Sequence, residues 1–378
     1  MDESASKKVV LLCSGFGLGF YIPGILIAEK LKRLGVVTEV EVFESLLPEN
    51  KIAMVEKSRQ AYQASFRVAL ASQKIPADIR QSWDAGAVEL LLARWSKEDC
   101  RHFICLSGHW VYVLDLYRQM RLDKEIHVDL LYLDADLSPS WKQLRKFKPD
   151  YAEPYQAVGL YDHARKEVRY SIDMNVEPPL PYSARSGRLV VHGGGWGIGT
   201  FNEYVPELER AGYGLDIVCY ARPDSVAGPS GRRYYLDDPT WRTWHRNEGG
   251  RHTFPPFAEL ASDSGAILFK PQFKCHGLHR VIRKAMAIVS KPGAGSLIDS
   301  FGSATPLIML EPFGPHEEAN AEIWAASGFG IQHHQWAAAG YPISTLEKLH
   351  ANLTEQRAKV EDYSQAYFKT LIKNHGLE

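Results

Sequence analysis

Short apolar runs alternate along the chain with segments whose apolar residues recur at helical spacing. The runs have the pattern of buried strands and cover residues 9–13, 38–43, 101–106, 126–133, 188–191, 213–220, 267–269, 285–289 and 306–310. Helical spacing covers residues 25–34, 113–120, 202–210, 278–284 and 344–378, and a further helix is expected to open at Ser296. This repeated order of strand and helix predicts an α/β fold.

Three glycine-rich segments directly follow predicted strands. They are residues 14–20 (SGFGLGF), 192–200 (HGGGWGIGT) and 290–296 (SKPGAGS). The last one opens a helix, where free backbone N–H groups and the helix dipole favour a phosphate, and side chains at Gly293 and Gly295 would block its approach. Five glycines within residues 193–199 would cost much chain entropy without a ligand to approach. Two alternatives stay open: glycines that only form turns of an ordinary strand–helix–strand repeat, and a flexible surface loop at 192–200.

The segment at residues 14–20 could also signal a dinucleotide site. Its glycine spacing is compressed relative to the Gly-x-Gly-x-x-Gly pattern. The acid expected about 20 residues later is present as Glu41 or Glu44, but Glu41 lies in the middle of a predicted strand. These two observations argue against a dinucleotide site.

Polar side chains follow two predicted strands of the first half. His109 comes after residues 101–106, and Asp134 and Asp136 come after residues 126–133. Ligands of open α/β sheets gather beyond the carboxyl ends of the strands, so these three residues are the candidates for catalysis. As alternatives, His109 is a packed loop histidine, and Asp136 belongs to the cap of the next helix.

Composition narrows the class of protein. The chain has 378 residues, 45% hydrophobic residues and a net charge of −1, so we expect two compact domains and no general attraction to nucleic acid or anionic membranes. Without a membrane-length apolar run or a signal peptide before the first strand, a cytoplasmic protein with no integral membrane segment is expected. Five scattered cysteines predict neither a disulfide framework nor a zinc knuckle. The basic, aromatic segment 222–256 is interpreted as a surface insertion rather than a site for single-stranded nucleic acid.

Residues 285–331 carry a resemblance to a known family. A strand, a glycine turn, a helix bearing Asp299, a proline-led strand and the segment His316-Glu317-Glu318-Ala319-Asn320 follow one another. This order resembles the donor-binding half of the GT-B glycosyltransferases, especially the plant-type UDP-glycosyltransferases and the peptidoglycan N-acetylglucosaminyltransferase that forms lipid II. The resemblance implies two Rossmann-like domains facing across a cleft. Residues 1–180 would form the acceptor-side domain, residues 181–345 the nucleotide-sugar domain, and residues 346–378 a helix returning toward the first domain.

The resemblance also implies a donor site. Asp299 would bind the ribose, residues 293–296 the diphosphate, and Lys291 the leaving-group charge, while His316 and Glu317 would face the donor sugar. The implied donor-binding residues are Gly194, Gly195, Trp196, Phe273, His276, Lys291, Gly293, Ala294, Gly295, Ser296, Asp299, His316, Glu317 and Asn320. The co-substrate is a nucleoside diphosphate sugar, with UDP favoured, and no cofactor or metal is expected. The pattern Asp134-x-Asp136 mimics the metal-binding pair of GT-A transferases, but the rest of the chain does not resemble them.

Residues 14–20 resemble the acceptor-side loop of this family, but they depart from its pattern at one position. Gly17 and Gly19 fit it, but Phe20 stands where related inverting enzymes have a histidine base. Either another side chain deprotonates the acceptor, with Asp136 the first choice, or the acceptor is as nucleophilic as an amine or thiol. The expected function is transfer of a hexosyl or N-acetylhexosaminyl group to a small-molecule acceptor with inversion. A nucleotide-sugar hydrolase or 2-epimerase on the same fold, and a non-catalytic nucleotide-binding protein, are the alternatives.

Overall fold

The first half of the chain forms a five-stranded parallel sheet. The computed structural model describes residues 8–75, 78–174, 177–223, 231–260 and 267–375. The strands of the first sheet are β1 (Val9–Cys13), β2 (Thr38–Val42), β3 (His102–Cys105), β4 (His127–Tyr132) and β5 (Gln156–Gly159). Its helices are α1 (Tyr21–Arg33), α2 (Glu49–Ala64), α3 (Phe66–Ser72), α4 (Ala85–Lys97), α5 (Val111–Met120) and α6 (Pro139–Phe147).

The strand order of this sheet is β2-β1-β3-β4-β5, and every pair is parallel. All residues of β1 and β3 are buried, which is why these strands appear in the sequence as continuous apolar runs. Because parallel strands end at the same edge, the turn after β1 and the loops after β3 and β4 meet there.

A short hairpin, β6 (Tyr161–Asp162) and β7 (Glu167–Val168), precedes the second sheet. The strands of that sheet are β8 (Arg188–Val191), β9 (Gly214–Cys219), β10 (Arg232–Asp237), β11 (Phe254–Leu260), β12 (Lys270–Gln272), β13 (Ala287–Ser290), β14 (Leu307–Met309) and β15 (Gly330–Gln332). The remaining helices are α7 (Val205–Arg210), α8 (Gly277–Ile282), α9 (Ala294–Ser303), α10 (Pro315–Ala326), α11 (His333–Ala338), α12 (Ile343–Arg357) and α13 (Tyr363–His375). None of the helices within the described ranges combines the length and apolar content needed to cross a membrane.

The second sheet has the order β12-β11-β10-β9-β8-β13-β14-β15. Its strands are parallel from β10 to β15, and β11 and β12 add an antiparallel edge. This corrects two predictions. Segment 222–256 is not only a surface insertion, because β10 and the start of β11 belong to it. Residues 267–269 are not a strand, and the short strand β12 begins directly after them.

Contacts join the two halves at several places. Helix α13 packs against α1, and Tyr363 Oη donates a hydrogen bond of 2.8 Å to Asp129 Oδ2. The loop between β10 and β11 reaches the first half from the other side. There Arg242 Nε lies 2.6 Å from Glu56 Oε1, and Arg246 Nη2 lies 3.0 Å from Glu41 Oε2. The carboxyl edges of the two sheets therefore enclose a common cleft.

Candidate active site

A cavity of about 370 Å³ lies in this cleft and takes its lining from both halves. From the first half it is lined by Gly17, Gly19, Phe20, His109 and Asp134. From the second half it is lined by Gly194, Gly195, Trp196, His276, Lys291, Gly293, Ala294, Gly295, Ser296, Asp299, His316 and Glu317. The structure thus brings together 17 of the 20 candidate site residues, although they are spread from residue 17 to residue 317.

The glycine turn after β13 presents an open helix start to the cavity. Helix α9 begins at Ala294 after Gly293, and no side chain caps it. A Cβ atom at Gly293 would lie 2.7 Å from Glu317 Oε1 and 3.0 Å from Lys291 Nζ. A side chain here would displace the ends of the Glu317 and Lys291 side chains, so the glycine leaves room for their ion pair. The unpaired N–H groups of a helix start and the positive end of its dipole make this wall suited to an anion.

Lys291 is held beside this turn by an acid. Its ammonium forms an ion pair with Glu317 Oε1, and Glu317 Oε2 accepts a hydrogen bond of 2.6 Å from Phe313 N. The same ammonium lies 5.6 Å from the centre of the Phe313 ring. An anionic group entering the cavity would compete with Glu317 for this lysine.

The turns after β1 and β8 touch each other across the cleft. A Cβ atom at Gly195 would lie 2.2 Å from Gly17 O, so these backbones pass in direct contact. Leu18 has a φ of 61°, an uncommon conformation for a leucine. Glu44 fixes the β1 turn by accepting hydrogen bonds of 2.7 Å from Ser14 Oγ and Gly15 N. This role explains Glu44 without a dinucleotide ribose.

Aromatic rings gather on one side of the cavity. The Trp196 ring centre lies 4.0 Å from that of Phe16, and Tyr62 packs against both rings. Phe16 and Tyr62 belong to the first half of the chain. Trp196, predicted at the donor, therefore faces the acceptor-side half.

Asp299 lies at the centre of a buried cluster with two histidines. Its Oδ1 atom is 3.0 Å from His276 Nε2 and 2.8 Å from His279 Nδ1. Burial disfavours the charged carboxylate, but the histidines more than offset this and hold the pKa of Asp299 well below its usual range. His279 was not among the predicted site residues, and it does not line the cavity.

Asp134 is a buried carboxylate that the first half of the chain brings to the same cavity. Burial raises its pKa, and nearby His316, Asn320 and Lys291 only partly counter this effect. Its Oδ1 accepts a hydrogen bond of 2.8 Å from Asn320 Nδ2. A carboxylate whose pKa is raised in a cavity is a better proton acceptor than an exposed one.

Two further histidines border the cavity. Burial lowers the pKa of His109 to about 4, so this ring is neutral at pH 7, and its Nδ1 has no hydrogen-bond partner. His316 is also buried, and its Nδ1 likewise has no partner. Both nitrogens are closed to solvent and unpaired among the described residues, so each ring would have to move to bring this atom to a ligand in the cavity.

Several solved structures are similar to this fold over nearly the whole length of the chain. MurG of Acinetobacter baumannii is 13% identical, with a TM-score of 0.55 over 97% of this chain and 99% of MurG. The glycosyltransferase SnogD of Streptomyces nogalater is 13% identical, with a TM-score of 0.53 over 97% and 99%. The spinosyn rhamnosyltransferase SpnG complexed with thymidine diphosphate is 12% identical, with a TM-score of 0.51 over 96% and 99%. The fold is GT-B. No family model and no curated protein sequence matches the chain.

Three predicted site residues do not line the GT-B cleft. Asp136, the first choice for the base, is partly exposed and lies with its Oδ2 2.7 Å from Lys142 Nζ, and despite some burial this lysine lowers its pKa. Phe273 is 76% exposed. Asn320 is buried behind the cavity, where its side chain bonds Asp134 and the backbone atoms Pro292 O and Ala135 N. These positions do not support Asp136 as the proton acceptor or Phe273 as a contact to the nucleobase. They also do not support direct contact between Asn320 and the donor.

One acid and one histidine that line the cavity, Asp237 and His192, were missed by the sequence analysis. Asp237 ends β10, and burial raises its pKa to about 6. Its strand was not predicted, so it could not be recognised as a strand-end acid. His192 directly follows β8 and is the first residue of the second glycine segment, and its Nδ1 accepts a hydrogen bond of 3.0 Å from Gly194 N. The strand-end rule that selected His109 would also have selected His192.

Proposed function

We propose that this protein transfers a sugar from a nucleoside diphosphate donor to a small-molecule acceptor in the GT-B cleft. The observation that carries the proposal is that one cavity is lined by an uncapped helix start and Lys291 from the second half of the chain and by a buried carboxylate, Asp134, from the first half. The first pair suits a diphosphate, and the carboxylate suits removal of a proton from an acceptor.

On the donor side, the diphosphate would lie at the start of α9 and draw Lys291 away from Glu317. Backbone N–H groups and one ammonium would then neutralise the leaving group without a metal. The sugar would face His316 and Glu317 in the first turn of α10, with Asp299 and His276 at the ribose. UDP remains the favoured nucleotide, and thymidine diphosphate, which is bound in the SpnG structure, is a second candidate.

On the acceptor side, the aromatic group Phe16, Tyr62 and Trp196 offers an apolar surface next to Asp134. An O–H, N–H or S–H group of the acceptor would attack the anomeric carbon while the bond from that carbon to the diphosphate oxygen breaks. The acceptor proton would pass to Asp134, and the nucleoside diphosphate would leave with the bonding electrons. Attack from the face opposite the leaving group gives inversion.

A ligand panel tests the donor half of the proposal. Thermal unfolding of the full chain is measured with UDP, GDP, TDP and CDP, in chelator and again with magnesium. We expect one nucleotide to raise the midpoint in chelator. If every nucleotide acted only with magnesium, the helix-start account of diphosphate binding would be wrong.

Incubation of the chosen sugar donor with and without acceptors tests the reaction. Acceptor-dependent release of the nucleoside diphosphate supports transfer. Equally fast sugar release or epimerisation without an acceptor would replace transfer by the hydrolase or epimerase alternative. Binding without any turnover would leave only the nucleotide-binding function.

A further inference from the structure

His276, His279 and Asp299 form a compact three-residue group between α8 and α9. His276 precedes the first residue of α8, and His279 follows three residues later, a spacing that brings both side chains to one side of a helix. Asp299 extends from α9, which packs against α8. The three residues thus come from two packed helices of one domain, and their arrangement does not depend on how the cleft opens or closes.

The three side chains offer one ligand atom each, and these atoms all lie within 4.8 Å of one another. The two histidine nitrogens approach the same oxygen, Asp299 Oδ1, at 3.0 and 2.8 Å. In a tetrahedral zinc site with bonds of about 2.0–2.2 Å, ligand atoms lie roughly 3.3–3.5 Å apart. Lengthening the two nitrogen–oxygen contacts by a few tenths of an ångström, and bringing the two nitrogens, which lie within 4.8 Å of each other, to that spacing, would convert the hydrogen-bonded group into a three-ligand site.

Burial and bonding also fit an ion. The side chains of His276, His279 and Asp299 are 9%, 1% and 7% exposed, so bulk water does not compete for them. The Nε2 atom of His279 is buried without a hydrogen-bond partner among the described residues, and Nδ1 is the ring nitrogen that faces Asp299 and would bind the ion. His276 also lines the cavity, which leaves a fourth coordination position toward the cleft.

We propose that His276, His279 and Asp299 bind a divalent transition-metal ion, with Zn²⁺ as the preferred ion. Two imidazoles and one carboxylate are borderline ligands that suit zinc better than magnesium or calcium. Three protein ligands and one open position correspond to the arrangement in which zinc keeps an exchangeable fourth ligand. His276 and Asp299 are also the residues proposed for the ribose, so the ion and the ribose would occupy this place alternately, while the glycine turn and Lys291, to which the diphosphate is assigned, are other residues of the cavity. The proposal does not depend on sugar transfer.

Direct metal titration of the full-length protein, without nucleotide, tests the proposal. The chain is first stripped with chelator, and Zn²⁺ is then titrated against a chromophoric zinc indicator. Wild type is expected to bind one ion per chain. Co²⁺ should give the visible absorption of a four-coordinate site in wild type and lose it when Zn²⁺ is added.

His276→Gln and His279→Gln should each weaken zinc binding by more than the roughly 10- to 100-fold that loss of an outer-shell partner costs. His333→Gln is the matched control, because His333 is also a buried histidine whose Nε2 has no hydrogen-bond partner. It should leave the affinity unchanged. Circular dichroism reports whether each variant is folded, and His276→Gln, altered at the cavity wall, decides the question if His279→Gln does not fold.

The proposal fails if wild type binds no zinc. It also fails if the folded His276→Gln variant binds zinc as tightly as wild type does. In either case the group is a hydrogen-bonded cluster only. Nucleotide binding is measured separately in chelator. Loss of the metal site and loss of the donor site are therefore distinguishable.

Discussion

Asp134→Asn changes the proposed proton acceptor while preserving its main contact. The amide oxygen of asparagine can still accept the 2.8 Å hydrogen bond from Asn320 Nδ2, so the loop after β4 keeps its link to α10. The substitution removes the charge and the basicity. Because a positioned general base contributes roughly 10²- to 10⁴-fold, turnover should fall by that factor, or by about 2.7–5.4 kcal/mol in the activation free energy.

The assay measures release of the nucleoside diphosphate at saturating donor and acceptor, together with donor affinity by calorimetry. Asp136→Asn is the matched control. It makes the same chemical change two residues along the chain, on a side chain that is paired with Lys142 and does not line the cavity. Its turnover should stay near that of wild type, and both variants should bind the donor normally.

Two results would contradict this reasoning. If Asp134→Asn and Asp136→Asn lose turnover equally, the cavity position of Asp134 is not what matters. If neither loses turnover, no carboxylate at this strand end removes the proton, and an acceptor with a strong nucleophile becomes the better explanation.

Three other predictions concern ribose binding, cleft packing and pH. Asp299→Ala should weaken nucleoside diphosphate binding in chelator by about 1.5–3 kcal/mol, and unchanged affinity in a folded variant would reject the ribose role. Gly195→Ala should lower the thermal midpoint, because its Cβ would lie 2.2 Å from Gly17 O. Gly231→Ala, whose Cβ would have no atom of the described residues within 4 Å, should leave the midpoint unchanged. Equal midpoints for the two variants would contradict the contact between Gly195 and Gly17. Burial lowers the pKa of His109 from 6.5 to about 4. As the pH falls from 7 to 5, the unfolded chain therefore binds a proton at this residue and the folded chain does not. This difference should lower the free energy of unfolding by on the order of 2 kcal/mol. His109→Gln should flatten this pH dependence in urea denaturation, and an unchanged slope would mean that the folded ring titrates normally.

The parallel strands that are buried along their whole length were predictable from sequence, whereas the parallel strands β5, β10 and β15, which have exposed or half-buried positions, were not predicted. β1 and β13 are buried along their whole length, and both appear as uninterrupted apolar runs. β11 could not be predicted in this way. It contains Pro255 and Pro256, which argue against a strand, and its pairing with β12 is irregular between Phe254 and Phe257. The prolines are accommodated where the ladder is irregular, and that depends on the partner strand rather than on local sequence.

The same distinction holds in the candidate site. Local sequence was sufficient to identify the glycine turns, because a turn that opens a helix is encoded by adjacent residues. It could not separate Asp134 from Asp136, because the path of the chain after β4 determines which carboxylate turns inward. Nor could it show that Asp299 is paired with His276 and His279, since that contact requires α8 to pack against α9.

Asn320 shows how the two halves of the site depend on each other. It lies on α10, the helix whose first turn carries His316 and Glu317, and it bonds both Asp134 and Pro292 O. The position of the Asp134 carboxylate, which belongs to the first half of the chain, is therefore set by α10, a helix of the second half. Rotation of the second domain away from the first would break this bond and separate Asp134 from the donor wall. The bond between Asp134 and Asn320 thus couples the proposed proton acceptor to closure of the cleft, because both can be in place only when the two domains are together.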